Sequence, residues 1–453
     1  MTRKEHNGGK VTDGKMARIS VFSMMTVAVV LLLVAGAGTA GAAHSIESCA
    51  DDVTSSGLHT VDSNINNDTV SSCIDVTASN VILEGNGNTI NGVDNDTDSV
   101  GIDVSGSGTL TNVTVRNVNL AGWGDQFGRG AAIEVSDTDA SGGVNLISDV
   151  NIARTGGAIA VSPDSNPTTG VNITDSVITG TGDNANAVSL GDTPQVNITD
   201  NVFRNSGAAI LRIGVSGNLT FVNNTFGPTG AEGVVLFPAS DDEVTFRNDR
   251  FIDVSGPDID DRQPVGPSGT NVTFRDTTSG KSATVDFDVK GINTIDAPEA
   301  VPSDPPKDTN VNEYLNVTED GFVQTYLNVT FDYDSANVPA GADESTLAVQ
   351  KFNGTWNDEF GATYRNLDTT AQEVTVNATG VGSTFAPLAG EDSIGGAPGA
   401  GGDCIDRRDI GRGQESQECP NDRELGRGGS REDLDRESGR NSDTSRRDRG
   451  RSR

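Results

Sequence analysis

Histidine, methionine and lysine are scarce in this sequence, and their scarcity argues against several kinds of site. The chain has three histidines and four methionines, and all the methionines lie in its first 25 residues. Copper and other soft metals need thiolate, thioether or imidazole ligands, so no such site is expected. Acidic residues outnumber lysine and arginine by 65 to 32, which argues against nucleic acid as the partner.

The net charge of −33 points to the environment of the protein. A large acidic excess with little lysine is typical of proteins that stay soluble in concentrated salt, where charge repulsion is screened. The alternative is a repeat protein loaded with Ca²⁺, but the glycine- and aspartate-rich calcium nonapeptide is missing. We therefore expect a halophilic archaeon as the source, and no bound cofactor or metal.

Long apolar runs are absent except at the N-terminus. Residues 19–43 carry no charge, follow Lys15 and Arg18, and end in small residues with Ala40 and Ala42 spaced as in a cleavage site. This pattern predicts a signal peptide over residues 1–42 and an extracellular or cell-surface location. The alternative is an uncleaved anchor, because the run is long enough to span a bilayer; it would be the protein's one membrane contact.

Four cysteines lie beyond this segment, and an even number in an exported protein suggests disulfides. Three connectivities are open, and proximity favours Cys49 with Cys73 and Cys404 with Cys419. No pair has the two-residue spacing of a zinc site, so a metal role is not expected.

An internal repeat defines the main body. Seven segments between residues 112 and 280 align in one register, 23 to 32 residues apart. The first apolar column is Val115, Ile147, Ile173, Ile198, Phe221, Phe246 and Phe274. An Asn/Asp column follows two residues later, comprising Asn117, Asp149, Asp175, Asp200, Asn223, Asn248 and Asp276. A second apolar column follows three residues after that, comprising Leu120, Ile152, Ile178, Phe203, Phe226 and Phe251.

Such short segments, rich in β-branched and aromatic residues, predict stacked parallel strands with a continuous core. The Asn/Asp column predicts a bend ladder, since these residues tolerate left-handed backbone. Further segments such as 130–135 and 157–161 predict a third face, and residues 80–104 predict the first coil. We therefore predict an all-β protein with a parallel β-helix of about eight coils over residues 46–295.

These columns resemble the right-handed parallel β-helix repeat of pectate lyases, polygalacturonases and NosD-like proteins. The opening, with Cys49, Cys73 and the segments NVILEGNGNTINGV and GIDVSGSGTLTNVTVRNVNLAGWG, resembles NosD-like surface proteins of haloarchaea. The resemblance covers about residues 46–290 and implies the fold rather than one activity.

The catalytic motifs that the resemblance implies are missing. The histidines are His6, His44 and His59, so the glycine-flanked histidine of polygalacturonases is absent. A lyase would need Ca²⁺-binding carboxylates beside an arginine, as at Asp260, Asp261 and Arg262, but this composition places acidic residues beside arginines in many regions. No catalytic residue is therefore assigned. Bound Ca²⁺ is expected only if the protein is a polysaccharide lyase.

One loop, residues 121–130, holds a candidate ligand site. Trp123, Asp125 and Arg129 occur together there, and a tryptophan beside polar groups suits stacking on a sugar ring. The alternative is that the aromatic side chains of this loop cover the side of a neighbouring coil, which the sequence favours.

A change of pattern marks the C-terminal part. Residues 296–310 are a Pro-rich linker, and alternating strands over residues 311–390 predict a small antiparallel β-sandwich. Residues 391–453 predict a Gly-rich linker and a disordered tail, since residues 403–453 hold as many arginines as acidic residues and almost nothing apolar.

Several Asn-x-Ser/Thr sequons predict glycosylation of the exported chain. We expect it at some of six sites, namely Asn67, Asn95, Asn316, Asn328, Asn353 and Asn377. Asn223 belongs to the bend ladder and is expected to stay bare.

The leading functional hypothesis is a non-catalytic cell-surface or secreted protein that binds polysaccharide or another surface glycan along its β-helix. A polysaccharide lyase or glycoside hydrolase is the alternative from a different class, and a purely structural spacer is the third.

Overall fold

The computed structural model describes residues 43–389 with short gaps. The gaps are 67–70, 94–98, 125–129, 137, 139–144, 154, 162–169, 181–184, 192–194, 214–217, 238–242, 263–265, 291–292, 299–309, 320–325, 353, 358–361 and 380–381. The predicted signal peptide (1–42), the predicted tail (391–453) and with it Cys404 and Cys419 lie outside the described residues. No helix in the described part is both long and apolar enough to cross a membrane.

The body of the protein is a parallel β-helix, as predicted, with about seven turns where the sequence predicted about eight. Each turn places one strand on each of three faces, which we name A, B and C in the order in which the chain visits them. Each strand pairs in parallel with its equivalents one turn before and one turn after. Stacked β-strands are about 4.8 Å apart, so equivalent side chains lie directly above one another.

The three faces have eight strands each. Face A comprises Gly57–Val61, Val81–Glu84, Val113–Arg116, Asn145–Ser148, Val171–Thr174, Val196–Thr199, Leu219–Val222 and Val244–Arg247, preceded by His44–Ile46. Face B comprises Ile65–Asn66, Thr89–Asn91, Asn119–Ala121, Asn151–Ala153, Val177–Thr179, Val202–Arg204, Thr225–Phe226 and Arg250–Ile252. Face C comprises Ser72–Val76, Val100–Val104, Ala131–Val135, Gly157–Val161, Asn186–Leu190, Ala208–Ile213, Val234–Phe237 and Ile259–Asp261.

The predicted apolar columns form the core. Val115 pairs with Ile147, and the column continues through Ile173 to Phe246 on face A. The second column runs from Leu120 to Phe251 on face B and ends at Phe274. Its later members are phenylalanines whose rings stack, with centroids of Phe226 and Phe251 4.7 Å apart and of Phe251 and Phe274 5.3 Å apart. These stacked rings are fully buried.

The bend ladder lies between faces A and B, and six of its seven predicted members have left-handed backbone. Asn117, Asp149, Asp175, Asp200, Asn223 and Asn248 have φ between 51° and 58°. The side-chain amide of Asn223 donates to Asp200 (3.0 Å), and that of Asn248 donates to Asn223 (3.2 Å). Burial raises the pKa of Asp175, and its neighbours Asp200 and Asp149 raise it further.

The seventh predicted member, Asp276, was placed in the wrong register. Asn271 takes the last position of the ladder, with φ 54° and an amide that donates to Asn248 at 2.8 Å. Phe274 therefore stacks on Phe251 rather than on Phe246, and Gly269 lies opposite Phe246. The ring of Phe287, from the next strand, lies beside Phe246 and Phe274 in the core, where Gly269 provides no side chain.

A buried polar column follows the bend ladder. It runs through Ser176, Asn201, Asn224 and Asp249, each at most 1% exposed. Backbone N–H groups donate to the next side chain at each step: Ser176 to Asn201 at 3.0 Å, and Asn201 to Asn224 at 3.0 Å. Asp249 ends the column and accepts from the backbone and side chain of Asn224 and the backbone of Arg247, at 2.8 to 2.9 Å. Burial raises its pKa to about 6 despite these hydrogen bonds.

The C-terminal strands extend the sheets of the β-helix instead of forming a separate sandwich. Beyond face A and face B, the antiparallel order is Ser268–Asp276, Lys281–Lys290, Tyr326–Asp332, Glu373–Thr379 and Ala362–Asp368. Beyond face C, it is Asn293–Asp296, Leu315–Glu319, Ser383–Leu388, Ala348–Phe352 and Trp356–Asn357. Two short 3₁₀ helices, Ser335–Asn337 and Glu344–Thr346, complete this part.

One hydrophobic core runs from Ile46 to Ala389. The predicted boundary at residues 296–310 therefore does not separate two cores, because strands on both sides of it pair with each other. At the other end, a disulfide joins Cys49 to Cys73 and ties the first turn to face C.

The aromatic stack gives a stability prediction. Phe251→Ala removes a buried ring that contacts Phe226 and Phe274, and should lower the free energy of unfolding by about 3 to 5 kcal/mol. Val177→Ala, on the outer side of the same face and 41% exposed, should change it by less than about 0.5 kcal/mol. Denaturant titration measures the free energy of unfolding of both variants and of the wild type. Equal losses in the two variants would contradict the assignment of Phe251 to the core.

The buried column gives a pH prediction. Because burial raises the folded-state pKa of Asp249 to about 6, above the value of about 3.9 for an aspartate in an unfolded chain, the native state binds its proton more tightly. This contribution to stability is full below about pH 4 and is lost as the pH rises through about 6. Asp249→Asn cannot ionise, so its stability relative to the wild type should improve by roughly 2 to 3 kcal/mol between pH 4 and pH 7. A pH-independent difference in unfolding free energy would refute the shift.

Candidate functional site

Trp123 is a core residue and not an exposed platform, so its predicted role as a ligand residue was wrong. Its side chain is 0% exposed, and its indole N–H donates to the carbonyl of Ile90 at 3.1 Å. Gly92 and Gly101 leave room for the ring, since a Cβ on Gly92 would lie 2.7 Å from it. Asp125 and Arg129 lie outside the described residues. The tryptophan covers the neighbouring coil, the alternative that the sequence favoured.

The acidic cluster considered for a lyase has other contacts. Arg262 binds Asp260 at 2.6 Å and Glu232 at 3.0 Å, and its guanidinium lies over the ring of Phe237. Asp261 is fully buried. Within the described ranges, no group of three or more His, Cys, Asp or Glu side chains is arranged to hold a metal ion.

Three of the predicted glycosylation sites can be located. Asn328 and Asn377 face each other on adjacent antiparallel strands, and the amide of Asn377 donates to the hydroxyl of Tyr326 at 2.8 Å. Asn316 lies opposite Asp296. Asn67, Asn95 and Asn353 lie outside the described residues. Asn223 uses both ends of its amide in the bend ladder, between Asp200 and Asn248.

The outer sides of faces A and B are nearly free of acid, although the chain carries a net charge of −33. Among their parallel strands, Glu84 is the one acidic residue in the described part, and it pairs with Arg116 at 2.7 Å. One of the two outward columns of face A is uncharged over eight strands. It comprises Leu58, Ile82, Thr114, Leu146, Asn172, Asn197, Thr220 and Thr245.

The middle of this surface presents amides and hydroxyls. Asn172 and Thr174 point outward from one strand, and Asn197 and Thr199 from the next, alternating with buried isoleucines. The amide of Asn197 donates to the carbonyl oxygen of Asn172 at 2.8 Å, which fixes the two side chains relative to each other. The result is a flat array of neutral hydrogen-bonding groups repeated at the coil spacing.

Face C has the opposite character. Its outer column places Asp75 beside Asp103 and Asp103 beside Glu134. Burial raises the pKa of Asp103, and the neighbouring carboxylate of Asp75 raises it further. Acidic side chains are therefore concentrated on face C, the bends and the loops, and kept away from faces A and B.

A cleft of about 500 Å³ lies where the last coil meets the antiparallel strands. Its polar lining includes Asp258, Asp276, Asp296, Arg275, Asn316 and Thr384. Asp258 is 4% exposed and accepts a hydrogen bond from the backbone of Ala297 at 3.0 Å. Burial raises its pKa well above the usual range, and the charges of Asp296 and Asp276 add to this.

Asp276, in the same cleft, has the opposite shift. Burial raises its pKa, but hydrogen bonds from Ser279 and Thr278 outweigh burial and leave the pKa below its usual value. The backbone N–H of Thr278 lies 2.7 Å from its carboxylate. The cleft therefore brings together two carboxyl groups whose pKa values are shifted in opposite directions. The sequence patterns did not reveal this site, because its residues come from distant parts of the chain.

The comparisons with known proteins bear on the fold. Residues 100–278 match the family described as the right handed beta helix region. This part of the chain is a right-handed parallel β-helix. No curated protein matches the sequence.

Solved structures similar to this β-helix include two viral proteins. ORF18 of Geobacillus virus E2 is 11% identical, with a TM-score of 0.30, over 63% of this chain and 68% of that one. The tailspike protein of E. coli bacteriophage HK620, in complex with a pentasaccharide, is 9% identical, with a TM-score of 0.31, over 77% of this chain and 62% of that one. At such low scores, neither likeness bears on the function of this β-helix.

Proposed function

We propose that this protein is an exported, non-catalytic surface protein whose β-helix binds glycan along the outer sides of faces A and B. The observation that carries the proposal is the column of neutral side chains on face A, from Leu58 to Thr245, in a chain with a net charge of −33. Amides and hydroxyls held at a fixed repeat are suited to hydrogen bonding with the hydroxyls of a repeating polymer. Glycosylation at Asn316, Asn328 and Asn377 belongs to the same proposal of an exported protein.

Rigidity favours binding on this surface. The backbone of each strand is hydrogen-bonded on both sides, and the alternate side chains are buried in the core. Outward side chains on such strands lose little further freedom when a ligand binds, which lowers the entropic cost of association. The hypothesis of a pure spacer assigns no role to the exclusion of acid from these two faces.

The proposal predicts that new negative charge on face A abolishes glycan binding. Thr199→Glu and Thr220→Glu place carboxylates on the neutral array and should remove retention on an immobilised panel of neutral and uronate-containing polysaccharides. Ser189→Glu, an outward position on face C, is the matched control and should be retained like the wild type. Equal retention of all three variants would rule out this surface as the binding site, and an absence of retention by the wild type would favour the spacer.

The cleft supports a second candidate function, hydrolysis of a glycosidic bond. Two carboxyl groups with pKa values shifted in opposite directions are the arrangement that general acid–base catalysis needs. In this scheme Asp258 donates its proton to the leaving-group oxygen as the bond to the anomeric carbon breaks. Asp276 accepts a proton from the attacking water. Activity would fall at acidic pH, where Asp276 becomes protonated, and again at higher pH, where Asp258 loses its proton.

A turnover assay tests this second candidate. The protein is incubated with polysaccharides, and new reducing ends are measured over time. If the cleft is catalytic, Asp258→Asn should lower the rate by about 100-fold or more. Asp260→Asn, on the outer side of face C, should leave the rate unchanged. No turnover by the wild-type protein on any polysaccharide would eliminate the hydrolase and leave the binding function.

A further inference from the structure

Arginine is unevenly placed in the folded part of the chain. Ten arginines lie between residues 43 and 389. Four of them, Arg204, Arg247, Arg250 and Arg275, lie on the last turns of faces A and B, and we name them the arginine patch. All four side chains are exposed, and none forms an ion pair within the described part of the chain.

The strand register defines the shape of the patch. Arg250 pairs with Thr225 and Thr273, and Ile252 pairs with Arg275. Arg204 lies on the outer side of face B three strands before Arg275, a separation of roughly 14 Å along the β-helix. Arg247 lies on face A of the same turn as Arg250, on the other side of the bend at Asn248.

Unpaired guanidinium groups are unexpected in a protein with so many carboxylates available to pair with them. Arg116 and Arg262 show the usual arrangement, each bound to a carboxylate within 3.0 Å. The eight strands of face B contribute no acidic residue in the described part, and on the next strand, which carries Arg275, the acidic residue is Asp276, whose carboxylate accepts from Thr278 and Ser279. The patch therefore reverses the sign of the local charge at one end of the surface proposed to bind glycan.

We infer that the glycan bound by faces A and B is anionic, and that the arginine patch contacts its carboxylate or sulfate groups. The inference rests on the proposed glycan-binding function and specifies the class of ligand. A guanidinium group donates two parallel hydrogen bonds to a carboxylate or a sulfate, so its contacts depend on geometry as well as charge. Such contacts are made at close range, where screening by salt is weakest.

The charge pattern favours a polysaccharide over a nucleic acid. Double-stranded DNA carries one charge per about 1.7 Å of its axis, and a protein of net charge −33 repels so dense a polyanion. The arginine patch offers four charges spread over three coil steps. This sparse arrangement matches a polymer with separated charges and neutral hydroxyls between them, which the amides and threonines of face A also accommodate.

Polymers with one backbone and different charges test the inference. Binding of the full chain to dextran, carboxymethyl dextran and dextran sulfate is measured, with a single-stranded DNA oligonucleotide as the other class of polyanion. The wild type should bind at least one charged dextran at least tenfold more tightly than dextran. The two charged polymers distinguish carboxylate from sulfate. Preference for the oligonucleotide, or equal affinity for dextran and its charged forms, would overturn the inference.

Variants then assign the binding to the patch. The double variant Arg204→Gln, Arg250→Gln should bind the charged dextran roughly tenfold more weakly, because two charge-assisted contacts are lost. Arg262→Gln, whose guanidinium is already paired on face C, is the control and should bind like the wild type. If both variants bind equally, the patch is not the contact.

The two proposals fail in different ways. Retention on neutral glycans that is sensitive to Thr199→Glu, without any preference for charged dextrans, refutes the anionic ligand and leaves the glycan-binding function. The absence of binding to neutral and charged polymers alike refutes both.

Discussion

Parallel pairing between successive turns is the constraint on which the rest of this structure depends. It places each residue directly above its equivalent one turn earlier, at about 4.8 Å, so that every property of a position is repeated along the column. Apolar columns become a continuous core, in which the stacked rings of Phe226, Phe251 and Phe274 pack with centroids 4.7 to 5.3 Å apart. A buried polar or charged residue must likewise find its hydrogen-bond partner in the equivalent residue, or a neighbour of it, in the next turn.

The same stacking explains the buried polar column and its pKa shift. Asn201 and Asn224 are tolerated in the core because each satisfies backbone and side-chain groups of the adjacent turn. The column ends at Asp249, whose carboxylate accepts three hydrogen bonds. These hydrogen bonds only partly offset burial, which raises the pKa of Asp249 to about 6. On the outside, burial raises the pKa of Asp103, and the stacked carboxylate of Asp75 raises it further. Stacking of neutral groups on face A, the surface proposed to bind glycan, carries no such repulsion.

Much of the fold could be read from the sequence because the columns repeat in it. In the first and second apolar columns and the bend ladder, residues of one type recur at fixed offsets within each repeat of the sequence. The last turn was misread, because the segments VTFRN and VTFRD look equivalent although Asn271, not Asp276, takes the bend. The loop at residues 121–130 was wrongly considered as a ligand site, because the alternation of apolar and polar residues along a strand does not predict where a side chain beyond a bend lies. Trp123 folds back over Gly92 and Gly101 into the core.

The sequence by itself determined the β-helix, its three faces and the position of the bends, because these depend on local periodicity and on left-handed backbone at Asn and Asp. Only the tertiary structure decided how the sheets continue after the last coil and where the charges of the described residues lie. The strands after residue 268 reverse direction and extend both sheets of the β-helix, a matter of long-range pairing that local patterns do not specify. The cleft around Asp258 and the arginine patch likewise exist only because residues far apart in the chain are brought together by the stacking of turns.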